Sequence, residues 1–287
     1  MRQFVHALSS SKITFVAVFL TVLFVVSSVG ASLLLSSDDL NAADYDRVLE
    51  GPSWQGGNGG LLGTDRLGRS MFFRILAGLQ TSYLVGLIAI VIGASVGIGI
   101  GLTAGYLGGR IDALLMRLTD VQLAFPALLM AMVVIGSIGG GALTVSVVLG
   151  LNSWMLYARV IRSIVLSMRQ TDFIQALEAI GARPRRIMWS HLLPNSLGPL
   201  VAVGTIELAR VMLAEASLSF VGLGVKAPAI SLGAIMAEGR DYVVTQWWVT
   251  GFAGGALALA VLSLNITGSW LQRYLDPVDI ALEDVAS

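Results

Sequence analysis

Residues 175–195 read QALEAIGARPRRIMWSHLLPN, with four charged side chains, a histidine and two prolines. They interrupt a chain of 287 residues that is 55% hydrophobic, 13% charged and neutral overall. So polar a run has no place in hydrocarbon, so it separates the apolar runs on either side into distinct spans and marks a face where the chain meets water. Just before it, Asp172 is placed to cap a short helix whose third position is Gln175, an aspartate variant of the capping box. Phe173, Leu177 and Ile180 then share one face. Gly181 ends that helix, and Pro184 suits the first turn of a second that carries Arg185, Arg186 and Trp189. Pro194-Asn195 is expected to break the second helix before the next apolar run. Amphipathic helices this short are not stable alone and need something to dock on.

Outside the block, the chain has too little polar surface to wrap a soluble globule of its size. Runs apolar and long enough to cross about 30 Å of hydrocarbon as helices lie at about 13–35, 82–106, 121–138, 142–166, 197–223 and 248–271. The fold class is therefore all-α: a polytopic membrane bundle of about six transmembrane helices with short helices on its cytoplasmic side. With the N-terminus inside, Arg110, Arg117, Arg159, Arg162, Arg169, Arg183, Arg185 and Arg186 all fall on inner segments. The outer ones hold Arg47, Arg66, Arg69, Arg74, Lys226 and Arg240, so the positive-inside rule puts both termini in the cytoplasm. Trp247 and Trp248 open the last span, and Trp270 and Tyr274 close it, at depths where amphipathic rings settle. Small residues at Gly30-Ala31-Ser32 would suit a signal-peptide cleavage site, but the first run exceeds a typical signal core and is read as an anchor.

The chain divides into a cytoplasmic N-terminus (1–12), a first transmembrane helix (13–35) and an extracytoplasmic loop (36–81). A transmembrane core follows (82–272) with the short cytoplasmic helices at about 167–196, and then a cytoplasmic tail (273–287). The loop is rich in glycine and reads as partly flexible at Gly56 to Gly60. In the second span Gly93, Gly97, Gly101 and Gly105 recur every four residues, giving one helix face on which a neighbour can approach closely.

Several chemistries find little support. Gly93-Ala94-Ser95-Val96-Gly97 fits a serine-hydrolase pattern, but inside an apolar helix it lacks the strand-to-helix elbow, and His6 and His191 lie outside every span. Gly99 to Ala104 imitates a dinucleotide turn equally poorly. Neither Lys12 nor Lys226 stands in a phosphate-binding loop, so nucleotide energy would have to be bound by another polypeptide. The two histidines are far apart and cysteine is absent, so no metal site and no catalytic residue is assigned. Zero net charge gives no reason to expect nucleic acid.

The fifth span carries Glu207, Arg210 and Glu215 at membrane depth. Ionisable groups there must face protein or a watery cavity. Glu207 and Arg210 are three apart and can pair along the helix. A structural ion pair and direct contact with a transported substrate both remain open, and both place this helix in the bundle interior.

Taken together, these motifs resemble the inner-membrane permease subunits of binding-protein-dependent ABC importers, specifically the C-type subunit of the peptide and nickel group. The block resembles the family's EAA motif, with Gln175-Ala176-Leu177 in first place, Gly181 at the expected spacing and Leu193-Pro194 closing it. Leu62-Gly63-Thr64-Asp65 with Gly68-Arg69, and Glu215-Ala216-Ser217-Leu218-Ser219-Phe220 with Gly222-Leu223-Gly224, match as well. The usual glutamate is Gln175 here, and the usual aspartate after Gly68-Arg69 is Ser70. Glu178 is the alternative source of the missing charge.

The resemblance implies the type I importer permease fold, in a bacterial or archaeal cytoplasmic membrane. It implies a second permease subunit, making a heterodimer, and two ATPase subunits that bind ATP and magnesium, with no cofactor on this chain. An extracytoplasmic binding protein would deliver a di- or oligopeptide, or nickel or a metal chelate. The ATPase-coupling residues would be Gln175, Ala176, Leu177, Glu178, Gly181, Leu193 and Pro194. An ion-coupled secondary transporter or channel, using Glu207, Arg210 and Glu215 as its own relay, is the alternative from another class.

Overall fold

A computed structural model describes residues 12–34 and 43–275. Nine helices follow one another in the described residues: α1 (Lys12–Leu34), α2 (Met71–Leu107), α3 (Gly109–Leu123), α4 (Ala127–Ile138), α5 (Ala142–Met168), α6 (Asp172–Ala179), α7 (Pro184–Phe220), α8 (Leu232–Glu238) and α9 (Trp247–Tyr274). Helices α1, α2, α5, α7 and α9 are each long and apolar enough to cross a bilayer. Their outward faces carry residues such as Phe19, Val26, Leu87, Val91 and Leu262, all well exposed. In water that surface would be an aggregation liability, and against lipid it is the ordinary solvent-facing side.

The apolar run at 121–138 is not one straight helix. It begins in the last turn of α3 and continues, after a bend of 78°, as α4. Pro126 is the cause: it offers no N–H, and it drives the residue before it away from helical geometry. With 12 residues, α4 rises only about 18 Å, too little to cross alone. Gly108, at the start of α3, lies beside Arg169 at the end of α5 from which the chain passes into α6 and α7, while Gly140, just past α4, abuts the Leu223 and Gly224 carbonyls beyond the opposite, C-terminal end of α7. The bent pair therefore makes one crossing, which with the five long helices gives six.

Two further boundaries differ from the hydropathy reading. Helix α2 starts at Met71 rather than near Ser82, because Arg74 lowers the local hydropathy yet is buried and paired. Pro194 does not break the chain before the fifth span. The backbone widens into a π turn over Met188–Leu192, where the Leu193 N–H reaches back to the Met188 carbonyl. That extra residue in the turn makes room for a ring lacking a donor, and α7 runs on without interruption.

Helices α2 and α5 meet along the glycine stripe. A Cβ at Gly101 would stand 2.6 Å from the Ala158 carbonyl, and one at Gly105 2.9 Å from the Val165 Cβ. Only hydrogen permits this approach, which lets backbone atoms gain dispersion contacts that longer side chains would prevent. Replacing Gly101 with leucine is expected to cut the yield of monodisperse, detergent-extracted protein several-fold, since overpacking costs about 1–3 kcal/mol or more. Gly99, with nothing within 4 Å of an added Cβ, should accept leucine, and size-exclusion profiles of the pair provide the check.

The loop between α1 and α2 folds tightly where it is described. Gly59 donates to the Gly51 carbonyl at 3.1 Å and Ser53 to Gly60 at 2.8 Å, so the glycine run expected to be flexible is a hydrogen-bonded turn. A side chain at Gly57 would strike the Gly51 carbonyl. The Trp248 indole closes the loop onto α9 by donating to the Thr64 carbonyl at 3.2 Å.

Candidate functional site

The polar block folds into α6, a glycine turn and the first turns of α7. Thr171, not Asp172, is the N-cap, and its side chain makes no capping bond; Asp172 is the first helical residue. The expected capping box is thus absent. Asp172 still places a negative charge in the first turn, where the helix dipole favours it. Gln175 turns its amide back to the Gln170 carbonyl at 3.3 Å, while Glu178 lies against the Tyr106 hydroxyl.

Gly181 adopts φ +77°, a conformation open to glycine at little cost. Its N–H bonds to the Glu178 carbonyl at 3.0 Å, and the Ala182 N–H to the Leu177 carbonyl at 3.0 Å. That pair is a full Schellman motif. Pro184 then opens α7, as its fixed φ and missing donor suit.

One side chain of α6 is fully buried. Ile174 joins Ile187, Leu192, Ile161, Val165 and Tyr106 in a core at the end of the bundle where α5 leads into α6, with Leu177 partly buried against it. Phe173 and Ile180 do not point there. Phe173 is 56% exposed and Ile180 78%, and exposed Ala176 lies between them. Since 173, 176 and 180 fall on one helix face, α6 docks on its own chain through Ile174 and leaves a second apolar face open. Arg183, Arg185 and Arg186 are exposed beside it. Leu193 and Pro194 continue into α7, with Leu193 against the same core and Pro194 exposed.

The three ionisable groups of α7 fall into two sets. Glu215 is completely buried and accepts from Ser82 at 2.9 Å and Ser219 at 2.6 Å, joining α2 to α7. Ser219 in turn accepts from the Val225 N–H at 3.1 Å, tying down the chain beyond α7. Glu207 is 1% exposed and receives the Arg210 Nε at 2.7 Å, but the Arg210 side chain is 52% exposed. So the pairing is present, Glu207 and Glu215 lie inside, and Arg210 reaches the chain's surface. An arginine presented to lipid at this depth costs about 2.5–3.5 kcal/mol on insertion scales. From Pro194 to Glu207 the helix rises about 20 Å, so the polar block and the membrane-depth charges are separate places.

Two polar clusters were not anticipated. On the inner side α3 is strapped to α5: Arg162 donates to both Asp112 oxygens at 2.5 and 2.6 Å, Arg159 to Asp120 at 2.7 Å, and Trp154 to Gln122 at 2.7 Å. On the outer side Asp65 accepts from the Leu67 and Arg69 backbones at 2.8 and 2.9 Å, from Arg69 Nε at 2.7 Å and from Arg74. Arg74 also forks onto Glu238 of α8 at 2.8 and 3.1 Å. Both clusters contain visible charges, but apart from the local Asp65–Arg69 and Asp65–Arg74 pairs the pairing partners are distant in sequence. Among the described residues no group of three or more His, Cys, Asp or Glu side chains could hold a metal ion; His6 lies outside them.

Residues 97–278 match the family described as "Binding-protein-dependent transport system inner membrane component". The chain is 33% identical over 278 residues to the probable D,D-dipeptide transport system permease protein DdpC of Escherichia coli K12, covering 96% of this chain and 91% of the relative. It is 37% identical over 234 residues to the di/tripeptide transport system permease protein DppC of Pseudomonas aeruginosa, covering 81% and 77%. A solved inward-facing structure of the methionine ABC transporter MetNI superposes on 72% of this chain and 98% of its own with TM-score 0.57 at 19% identity, a likeness of fold. A helical bundle with six crossings, a docked short helix between the fourth and fifth of them and this coverage by a single family lead to one assignment: the chain is a member of the binding-protein-dependent transport system inner membrane components, a multi-pass inner-membrane transport subunit.

Proposed function

We propose that this chain is the permease subunit of an ABC importer and forms half of the translocation pathway for a di- or oligopeptide. Both termini are cytoplasmic, a second, non-identical permease completes the pathway, and a binding protein delivers the peptide from outside. ATP and magnesium are bound by separate ATPase subunits, and no catalytic step occurs on this chain. Helix α6 is the coupling helix, with Gln175, Ala176, Leu177, Glu178, Gly181, Leu193 and Pro194 forming or positioning the coupling loop.

The observation that carries this reading is the open face of Phe173, Ala176 and Ile180 beside three exposed arginines. An apolar strip that the described residues leave uncovered, rimmed by charge, has the makeup of an interface core and rim. Because Ile174 roots α6 in the bundle, a push on that face passes to α5 and α7 rather than being lost in a loose loop. Gln175 contributes hydrogen bonding without charge. The peptide assignment draws on the dipeptide and di/tripeptide systems named for the relatives.

The test uses membrane vesicles carrying the chain with its neighbouring permease, ATPases and binding protein. Dipeptide uptake should require ATP and a functional ATPase subunit. Full uptake from an ion gradient with no ATPase present would overturn the reading in favour of a secondary transporter, and uptake of nickel or a chelate with no peptide uptake would reassign the substrate.

A further inference from the structure

Resting on the importer reading, we propose that Arg210, backed by Glu207 and flanked by Tyr157, is a station in the pathway that receives the C-terminal carboxylate of the peptide. Arg210 sits well inside α7, so its half-exposed guanidinium cannot face lipid, and the side of α7 that bears it must line protein or a watery passage. Leu213 and Ser217 are exposed on the same side of the helix, with the Ser217 hydroxyl turned back to the Leu213 carbonyl at 2.8 Å, so the arginine is the one charged feature of that side among the described residues.

The donor arithmetic then names the ligand. Glu207, itself buried, accepts from Nε and from Nη2, and Ser153 accepts from Nη2 at 3.4 Å. Those bonds use one edge of the guanidinium, and the N–H groups of Nη1 have no acceptor among the described residues. Glu207 thereby occupies the Nε/Nη2 edge and fixes the plane of the group, leaving Nη1 to an incoming acceptor.

A second observation points the same way. The Tyr157 hydroxyl is buried and has no hydrogen-bond partner among the described residues. It lies against α7 at Gly204, where an added Cβ would be 3.6 Å away, and within electrostatic range of both Glu207 and Arg210. Buried hydroxyls are normally satisfied, and one left open beside a half-free guanidinium leaves donors in want of an acceptor. A carboxylate offers several acceptor positions in a planar group that matches a guanidinium edge. It is also the one anionic group every unmodified peptide carries whatever its side chains. A neutral Arg–Glu unit suits passage better than an unpaired charge, because it can recognise a carboxylate without holding it tightly.

The test compares ATP-driven uptake of dialanine and of alanyl-alanine amide by the complete transporter, each at a concentration that saturates the binding protein. Arg210→Gln combined with Glu207→Gln, so that no buried carboxylate is stranded, is expected to reduce dialanine uptake at least tenfold and amide uptake less than twofold, with all subunits still co-purifying. Arg210→Lys should recover part of the dialanine rate. Equal losses for the two probes, or undiminished dialanine uptake, would refute the station. Loss of the second permease from the purified double-variant complex would also refute it, assigning the arginine to the subunit interface instead. Wild-type vesicles that take up no dialanine would sink the peptide reading and this one with it, whereas wild-type uptake with any of the other failures leaves the importer reading standing.

Discussion

Phe173→Asp is expected to abolish ATP-driven uptake while leaving the chain folded and inserted. Phe173 is 56% exposed, and its contact in the chain is an edge-on approach to the His191 ring at 5.5 Å. An aspartate in the first turn of α6 is favoured by the helix dipole, so the isolated chain should lose no more than about 1 kcal/mol. In a docked complex the same change removes an aromatic anchor and buries an unpaired carboxylate, a cost of several kcal/mol. Each 1.4 kcal/mol is tenfold in affinity, so ATPase co-purification should fall by about 100-fold or more. Phe173→Leu, which keeps the surface apolar, should retain most of the uptake. Ile174→Asp should behave differently: with no exposed surface, it unfolds the inner end of the bundle itself and lowers protein yield. Normal ATPase co-purification and uptake by Phe173→Asp would remove the coupling role from α6.

The contrast between Phe173 and Ile174 shows what the sequence could reveal and what it could not. The turn at Gly181 and the start at Pro184 rest on local backbone chemistry, and both appear as read. That Phe173, Leu177 and Ile180 share a face is also local geometry. Which face docks inward depends on where α5 and α7 lie, and the structure gives that place to Ile174, with Leu177 only partly following.

Pro194 fails to end the helix for a related reason. A proline removes one bond, but a π turn supported by surrounding packing absorbs the loss, and no single-residue rule anticipates it. Hydropathy averages over a window and is blind to direction, so the bend between α3 and α4 was invisible because both sides of it are apolar. The same blindness kept Arg210 in the interior with Glu207, since depth in the membrane can be read from sequence and azimuth around a helix cannot.

Charge clusters were the least legible feature. Asp65, Arg69 and Arg74 stood out in the sequence, but Glu238 is 164 positions from Arg74, and nothing short of the fold joins them. Its energetic consequence is large. Arg74 is 1% exposed and Asp65 1%, and Arg74→Met is expected to destabilise the chain by about 3–5 kcal/mol, the cost of leaving buried charge without its partner. That is a sizeable share of a typical total of about 5–15 kcal/mol, so thermal unfolding in detergent should shift down strongly or folded protein should fail to accumulate.

Lysine at position 74 should rescue little, because a single ammonium cannot fork onto Glu238 while also holding Asp65. Glu238→Gln in the Arg74→Met background should restore part of the loss, because without Arg74 the Asp65 and Glu238 carboxylates share Arg69 alone, at 2.7 and 3.2 Å, and the second substitution removes one of the two like charges. Such a non-additive recovery distinguishes a charge network from a mere packing defect, for which the second substitution would add damage. If the double variant proves less stable than Arg74→Met, the cluster does not hold the outer loop to α8 through charge.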